Sequence, residues 1–174
     1  MVYDFGNRPA ARGEPHSHPE PGPINQMLAD AVLQVAQHCG GPVYAQWEIA
    51  KLLKGKHPDV SAIEPVVAAD GTVTYLSTDG VAQAVVALAN RPGARKLGTV
   101  CVVAHRDHSK RCVATSKARG MDAAVAAEVA LPAAYDAESG QPWTRRRDLY
   151  LLHDMAARWM QLRADRIAAA YPQG

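Results

Sequence analysis

LGTVCVVAHRDHSKRCVATSKARG, residues 97–120, decides the fold, because a short apolar run stops there at a dense polar cluster. Residues 99–104 are mostly apolar and β-branched, which predicts a strand buried on both faces. A helix should follow, capped by Ser109 and ended by Gly120. Ligands of open parallel sheets bind beyond the carboxyl ends of the strands, so the polar residues between this strand and its helix are the predicted site.

Strand and helix patterns alternate along the rest of the chain. We predict strands over residues 2–5, 42–45, 99–104 and 123–129, and a hairpin over 63–76 around Asp70-Gly71. We predict helices over 23–39, 47–54, 78–89, 109–119 and 144–170, the last with a core stripe of Leu149, Leu152, Ala156, Trp159, Met160 and Ile167. Residues 8–22 are rich in Pro, Gly and Arg and should form a loop. The sequence thus predicts an α/β fold, a single three-layer Rossmann-like domain over residues 1–174, with a mainly parallel sheet and helices on both faces.

Composition limits the classes of function. Lysine and arginine number 19 against 17 acidic residues, so no strong field favours nucleic acid. The first twenty residues hold no apolar core of signal-peptide length, and no run reaches the roughly 18 apolar residues of a membrane span. The three cysteines form no CxxC pair, which favours reduced thiols and a cytoplasmic protein.

The polar cluster supplies the candidate catalytic residues His105, Asp107 and His108. Histidine exchanges protons near neutral pH, and a neighbouring carboxylate can fix its tautomer and raise its basicity. The structural alternative is a solvated strand end at which one histidine caps the helix. A metal site is disfavoured, because the usual ligand spacings are missing and the histidines at 16 and 18 lie in the Pro-rich loop.

Other strand-to-helix junctions supply candidate ligand-binding residues. Arg111 and the backbone N–H groups after Ser109 are expected to hold an anion, since a cation at a helix start is otherwise mildly unfavourable. The remaining candidates share a position at a predicted strand end or helix start; they are Gly6, Asn7, Glu48, Ser77, Thr78, Asp79 and Arg106. Each has a structural alternative, an N-cap for Ser77 or Thr78 and a first-turn acid for Glu48.

These junctions, in this order, resemble the bacterial SanA/YdcF/ElyC-like family, a Rossmann-like domain. The best match is VVAHRDHSKRCVATSKARGM (102–121), in which His108 and Arg111 fall on the family's histidine and arginine. YLSTDGVAQA (75–84) resembles a second family segment, with Thr78 matching, whereas Gly-Val stands where the family has Glu-Asn. The layout is closer to the soluble YdcF type, and the resemblance implies S-adenosylmethionine as a ligand.

The sequence supports three hypotheses of function. The first is a cytosolic enzyme, with a biosynthetic role as one option, that binds a nucleotide-like or anionic metabolite. In it His108 or His105 transfers a proton and Arg111 holds negative charge. The second is a non-catalytic module that binds such a metabolite. The third is a protein-interaction subunit that uses the long helix bearing Trp159, and assembly into a homo-oligomer is left open. The reaction, the substrate and any resident cofactor are not specified by these patterns.

Overall fold

The computed structural model describes residues 1–9, 19–70 and 73–172. Within them the chain forms a mixed α/β structure. The helices are α1 (Pro23–Cys39), α2 (Trp47–Leu53), α3 (Thr78–Ala89), α4 (Arg106–Ala118) and α5 (Arg147–Ala170), with a short 3-10 helix at Pro142–Thr144 before α5. The strands are β1 (Val43–Gln46), β2 (Val60–Ile63), β3 (Val66–Val67), β4 (Val73–Thr74), β5 (Val100–Cys101) and β6 (Ala123–Ala124).

The strands pair in three short sheets. β1 pairs in parallel with β2, and β5 pairs in parallel with β6. β3 and β4 form the predicted antiparallel hairpin, whose residues 71–72 lie outside the described part. Val2 links the two parallel sheets, because it makes single parallel bridges to Ala45 and to Val103. The predicted parallel pairing is thus present, but as two-stranded sheets joined at one residue.

Successive residues of the linked strands pack into different hydrophobic clusters. Val2 belongs to a cluster that contains the buried faces of α1 and α2, whereas Tyr3 belongs to one that contains those of α3 and α4. The same alternation separates Val103 from Val102. Since neighbouring strand residues point to opposite faces, the two clusters lie on opposite sides of the strands.

Local sequence explains most helix boundaries. Pro23 stands at the first turn of α1, and Gly40 ends that helix with a φ of +62°, a value that favours glycine. Ser77 caps α3 by accepting a hydrogen bond from the Gly80 N–H at 3.1 Å, as predicted. The predicted cap of α4 is wrong, because α4 begins at Arg106 and its N-cap is His105 rather than Ser109.

The predicted core stripe of α5 is also wrong. Leu152, Trp159 and Met160 are each more than 60% exposed, whereas the buried residues of α5 are Tyr150 and Asp154. The helix therefore packs on the molecule through a polar and aromatic side and turns its apolar side outward. No helix within the described ranges combines the length and apolar character needed to cross a bilayer.

Candidate functional site

A cavity of about 380 Å³ lies where the N-terminal segment, β1, the end of the hairpin, α3, α4 and α5 meet. This volume falls in the range of small-molecule sites. Its polar lining includes Asp4, Gln46, Ser77, Thr78, His108, Arg111, Gln141, Thr144 and His153, and its aromatic lining is Phe5, Tyr75, Trp143 and Tyr150. Residues of the N-terminal segment, the end of β1 and the segment after the hairpin line this cavity together, whereas the predicted residues Gly6 and Glu48 do not line it.

Arg111 lies in the wall of the cavity and is held at three points. Its Nε donates to Asp154 Oδ1 at 2.6 Å, and one terminal nitrogen donates to Thr78 Oγ1 at 2.8 Å. The other terminal nitrogen lies 3.4 Å from the Tyr150 hydroxyl. A guanidinium has five N–H donors, so two remain to meet a ligand in the cavity. The side chain is therefore positioned by protein contacts and still able to bind an anion.

His108 reaches the same cavity from the first turn of α4. The ring lies among aromatic neighbours, with centroids 6.1 Å from Tyr3 and 5.9 Å from Tyr150. Its Nδ1 is buried and has no hydrogen-bond partner in the described part of the chain. Burial holds the pKa of His108 well below its ordinary value, and the charge of Arg111 lowers it further. A neutral imidazole beside a fixed cation is therefore the resting state.

The charge around Arg111 is positive overall. Asp154 accepts from Arg111 and also faces Arg158, with Nε and Oδ2 2.6 Å apart. His153 lines the cavity beside them, stacked on Trp143 with ring centroids 4.8 Å apart. Two guanidinium groups thus share one carboxylate, and this excess of cation favours a ligand that carries negative charge.

Two interacting carboxyl groups, Asp4 and Glu48, lie at and behind the cavity lining. Asp4 lines the cavity, and burial raises its pKa to about 6. Glu48 is fully buried behind it, and burial followed by the charge of Asp4 raises its pKa to about 9. Glu48 Oε1 accepts from Asn7 Nδ2 at 3.1 Å, whereas its Oε2 has no partner among the described residues. Asp4, which lies within the first predicted strand, was not among the predicted site residues.

His105 lies close in sequence to His108 but has a structural environment. Its ring stacks on Phe5 with centroids 3.9 Å apart and planes at 11°. Nδ1 accepts from the Asp107 N–H at 3.3 Å, and Nε2 lies 3.0 Å from the Ala134 carbonyl oxygen. Both ring nitrogens are therefore engaged, and His105 does not line the cavity. The helix-capping alternative describes this residue, and its proposed proton transfer has no geometric support.

Asp107 and Arg106 also lie apart from the cavity lining. Asp107 Oδ2 accepts from the Tyr135 hydroxyl and from Arg147 Nε, both at 2.8 Å. Burial works to raise the pKa of Asp107, but these hydrogen bonds leave it below the ordinary value. Arg106 is exposed and lies 3.5 Å from Asp107. The carboxylate expected to tune His108 therefore serves to join α4 to the start of α5.

The N-terminus of α4 does not provide the predicted anion-binding N–H groups. The Arg106 N–H donates to the Pro132 carbonyl at 2.7 Å. The N–H groups of His108 and Ser109 both donate to the His105 carbonyl at 2.9 Å. Because α4 begins three residues earlier than predicted, Arg111 lies in its second turn, and any anion there would meet the side chain rather than free backbone.

Gly6 and Asn7 form a turn packed under the loop before α5. Gly6 has a φ of +76°, and a Cβ there would lie 2.7 Å from Thr144 Oγ1 and 2.8 Å from Ser139 Oγ. Asn25 of α1 holds this turn, because its amide donates to the Gly6 carbonyl at 2.8 Å and to Asn7 Oδ1 at 3.2 Å. Asn25 is fully buried. The glycine turn therefore shapes the wall of the site and does not itself open on the cavity.

The three neighbouring residues Ser77, Thr78 and Asp79 have different roles. Ser77 caps α3, and Thr78 presents its hydroxyl to Arg111. Asp79 does not line the cavity; it pairs with Arg119 near the surface, with Oδ1 2.7 Å from Arg119 Nε. The sequence analysis missed that α5 contributes Tyr150 and Asp154 to the site. These residues are spaced by one helical turn, and that spacing is the signal from which their shared face could have been predicted.

Within the described residues, no three side chains of the His, Cys, Asp and Glu types gather into a metal site; the histidines at 16 and 18 lie outside that part. Comparisons with known proteins found no matching family model, no matching curated protein and no matching solved structure.

Proposed function

We propose that this protein is a cytosolic, Rossmann-like domain that binds a small anionic or nucleotide-like metabolite in the 380 Å³ cavity. The observation that carries the proposal is the convergence of two groups there. Arg111 is fixed by Thr78, Tyr150 and Asp154. His108 has a buried ring nitrogen without a partner in the described chain. Buried polar atoms in folded proteins are generally satisfied, so an unsatisfied one beside a held cation suggests a ligand.

The strand arrangement supports the Rossmann-like part of the proposal. Reading the bridges of Val2 as a strand gives the spatial order β2, β1, Val2, β5 and β6, all parallel. The two hydrophobic clusters would then form the layers between this sheet and its helices. In such sheets, ligands bind where the chain turns to opposite sides of the central strand, which is the location of the cavity.

The resemblance to the SanA/YdcF/ElyC-like family is compatible with this location. His108 and Arg111, which match the family's histidine and arginine, both line the cavity, as does Thr78 of the second segment. S-adenosylmethionine is accordingly one ligand to test. Its carboxylate would suit Arg111, and its aromatic base would suit the Trp143 and Tyr75 rings of the lining.

A proton-transfer reaction is the enzymatic form of the proposal. His108 is the candidate acid or base, and an anion bound to Arg111 would offset the charge that lowers the pKa of His108. Asp4, which lines the same cavity and has a pKa raised to about 6, is the second candidate. If neither group turns over a substrate, the domain is a binding module with the same ligand chemistry.

Calorimetry with inorganic phosphate, adenosine monophosphate and S-adenosylmethionine tests the binding proposal. Arg111→Ala should weaken binding of the anion that the wild type accepts by roughly 10- to 150-fold, the equivalent of about 1.5–3 kcal/mol for a charge-assisted hydrogen bond. Lys110→Ala is the matched control, since it removes an exposed cation from the neighbouring position of α4. Equal losses in the two variants, or no binding of any probe, would reject Arg111 as the anion site.

Turnover of a bound ligand tests the enzymatic form. His108→Gln should lower the rate by about 10²- to 10⁴-fold, the usual contribution of positioned acid–base catalysis, while binding is kept. Wild-type turnover in this variant would leave His108 with a structural role and favour the binding module.

A second candidate function is self-association through α5, and the outward apolar side of that helix favours it. Leu152, Met155, Trp159 and Leu162 are spaced by three and four residues and are 50–69% exposed. This spacing is the seam of a two-helix coiled coil, which a second copy of the same helix completes. The outward apolar side of α5 is about 27 Å long from Leu149 to Ile167. Half of the accessible surface of a helix of this length is about 500 Å² per copy.

This area lies just below the roughly 600 Å² per partner of the smallest stable interfaces, so we expect a weak, concentration-dependent dimer. Sedimentation velocity over a concentration series should show dimer formation in the wild type and its loss in Trp159→Glu. Met27→Glu, at an exposed apolar position of α1, should behave as the wild type. A monomer at all concentrations would reject self-association.

A further inference from the structure

Two cysteines far apart in sequence meet at the end of the molecule opposite the candidate site. Cys39 is the last residue of α1, and Cys101 is the last residue of β5. Their Sγ atoms lie 2.8 Å apart. Because the disulfide bond length is about 2.05 Å, a shift of less than 1 Å would join them. The third cysteine, Cys112, is fully buried within a hydrophobic cluster.

The pair is accessible to small molecules. Cys39 is exposed and Cys101 is half-buried. Both line a second cavity of about 300 Å³, which also contains Gly40, Arg95 and Lys96. The described linings of the two cavities have no residue in common. The thiols therefore face solvent beside two cationic side chains, and the space in front of them suits a small anionic molecule.

We propose that Cys39 and Cys101 form a reversible redox site that exchanges with low-molecular-weight disulfides carrying carboxylate groups, of the glutathione class. The proposal rests on the sulfur–sulfur approach, on the exposure of Cys39 and on the cationic cavity, and it is independent of the function proposed above.

The two cysteines have different roles in the exchange. The exposed Cys39, as thiolate, attacks one sulfur of the small disulfide, which forms a mixed disulfide and releases one small thiolate that takes up a proton. The Cys101 thiol then loses its proton and attacks Cys39 Sγ, which releases the second small thiol. In sum, two protein thiols are oxidised by two electrons, and one small disulfide is reduced to two thiols.

The surroundings of Cys101 fit the second step. Burial and the neighbouring Cys39 raise the pKa of the Cys101 thiol to about 11. Cys101 is therefore protonated while Cys39 attacks, which makes Cys39 the first nucleophile. In the mixed disulfide Cys39 no longer carries a charge, and one of the causes that raise the pKa of Cys101 is removed before Cys101 acts as the resolving cysteine. The product bond would join residues 62 positions apart, a long loop whose closure stabilises the folded state.

Equilibration of the full chain in glutathione redox buffers tests the proposal. After alkylation, intact mass should show two of the three thiols lost in oxidising buffer, and peptide mapping should identify a Cys39–Cys101 link within one chain. The oxidised form should melt about 5–15 °C higher than the reduced form. Retention of all three thiols, or a link between two chains, would overturn the proposal.

Variants separate the two roles without depending on the cross-linked form. Cys101→Ser should accumulate a single glutathione adduct on Cys39, because the resolving step is lost, whereas Cys39→Ser should take up little glutathione. Cys112→Ser is the control and should form the same link as the wild type. An adduct on Cys112, or none on Cys39 in Cys101→Ser, would contradict the assignment.

Discussion

His105 and His108 are only three positions apart in the chain, but they belong to two regions whose hydrogen-bonding environments are opposite. In the cap region, the nitrogens of His105 and the carboxylate of Asp107 are taken up by backbone, Tyr135 and Arg147. In the cavity region, His108 Nδ1 has no partner in the described part of the chain, and Arg111 has donors to spare. The comparison teaches that a dense run of polar residues marks a junction, whereas an unpaired polar atom beside a held cation marks the candidate site.

Replacing each histidine by leucine should give the largest difference in unfolding free energy between the two regions. His105→Leu leaves the Asp107 N–H and the Ala134 carbonyl without their partner. A fully buried unsatisfied group costs about 1–3 kcal/mol, and because both of these hydrogen bonds are only partly buried, we expect a loss of roughly 1–3 kcal/mol of unfolding free energy in total. His108→Leu removes a buried nitrogen that has no partner, and we expect a change within about 1 kcal/mol. Urea unfolding of both variants measures the difference. Equal losses would mean that the two regions do not differ in the way described.

The carboxyl pair of Asp4 and Glu48 should make the stability of the protein depend on pH. The pKa of Glu48 is raised from 4.5 to about 9, so the folded state holds a proton that the unfolded chain releases above about pH 4.5. Stability should therefore fall as pH rises from about 5 towards 9. Glu48→Gln keeps an acceptor for Asn7 and cannot ionise, so it should be more stable than the wild type at pH 8 by at least about 1.4 kcal/mol, the equivalent of one pKa unit.

Thermal unfolding of Glu48→Gln and wild type between pH 4 and pH 9 checks this prediction. Glu128→Gln, an exposed acid after β6 that is not among the charges acting on Glu48, provides the control and should follow the wild-type curve. A difference in stability between Glu48→Gln and wild type that stays constant at every pH would show that folding does not raise the pKa of Glu48.

Sequence patterns predicted the parts of the fold that are local. The period of α1 with Pro23 and Gly40 at its ends and the Ser77 cap required only neighbouring residues. β2 was missed, because only its last residue, Ile63, fell within the predicted hairpin over 63–76 and its first three residues were assigned to no strand. The orientation of α5 was reversed, since apolar periodicity finds the apolar side of a helix but not what that side faces.

The site was predicted in part for the same reason. His108, Arg111 and Thr78 stand at strand ends and helix starts, which sequence can locate. Asp154 is 43 residues from Arg111, and the pairing of the two depends on how α5 crosses α4. No local pattern encodes that crossing. His105 and Asp107 matched the chemistry expected of a site, but most of the hydrogen bonds that occupy them come from residues 28–40 positions away, namely Ala134, Tyr135 and Arg147.

Asp79 gives the smallest expected effect and tests where the site ends. Its carboxylate accepts from Arg119 Nε at 2.7 Å and from Gln83 Nε2 at 2.9 Å, and the Arg119 side chain is 37% exposed. Exposed ion pairs contribute about 0.2–1 kcal/mol and are screened by salt. Asp79→Asn should therefore cost no more than about 1 kcal/mol in urea unfolding, and less in 1 M salt. Thr78 lines the cavity, whereas the neighbouring Asp79 does not. The affinity for the anion should therefore be unchanged in Asp79→Asn. A loss of affinity as large as that of Arg111→Ala would show that the site includes the first turn of α3.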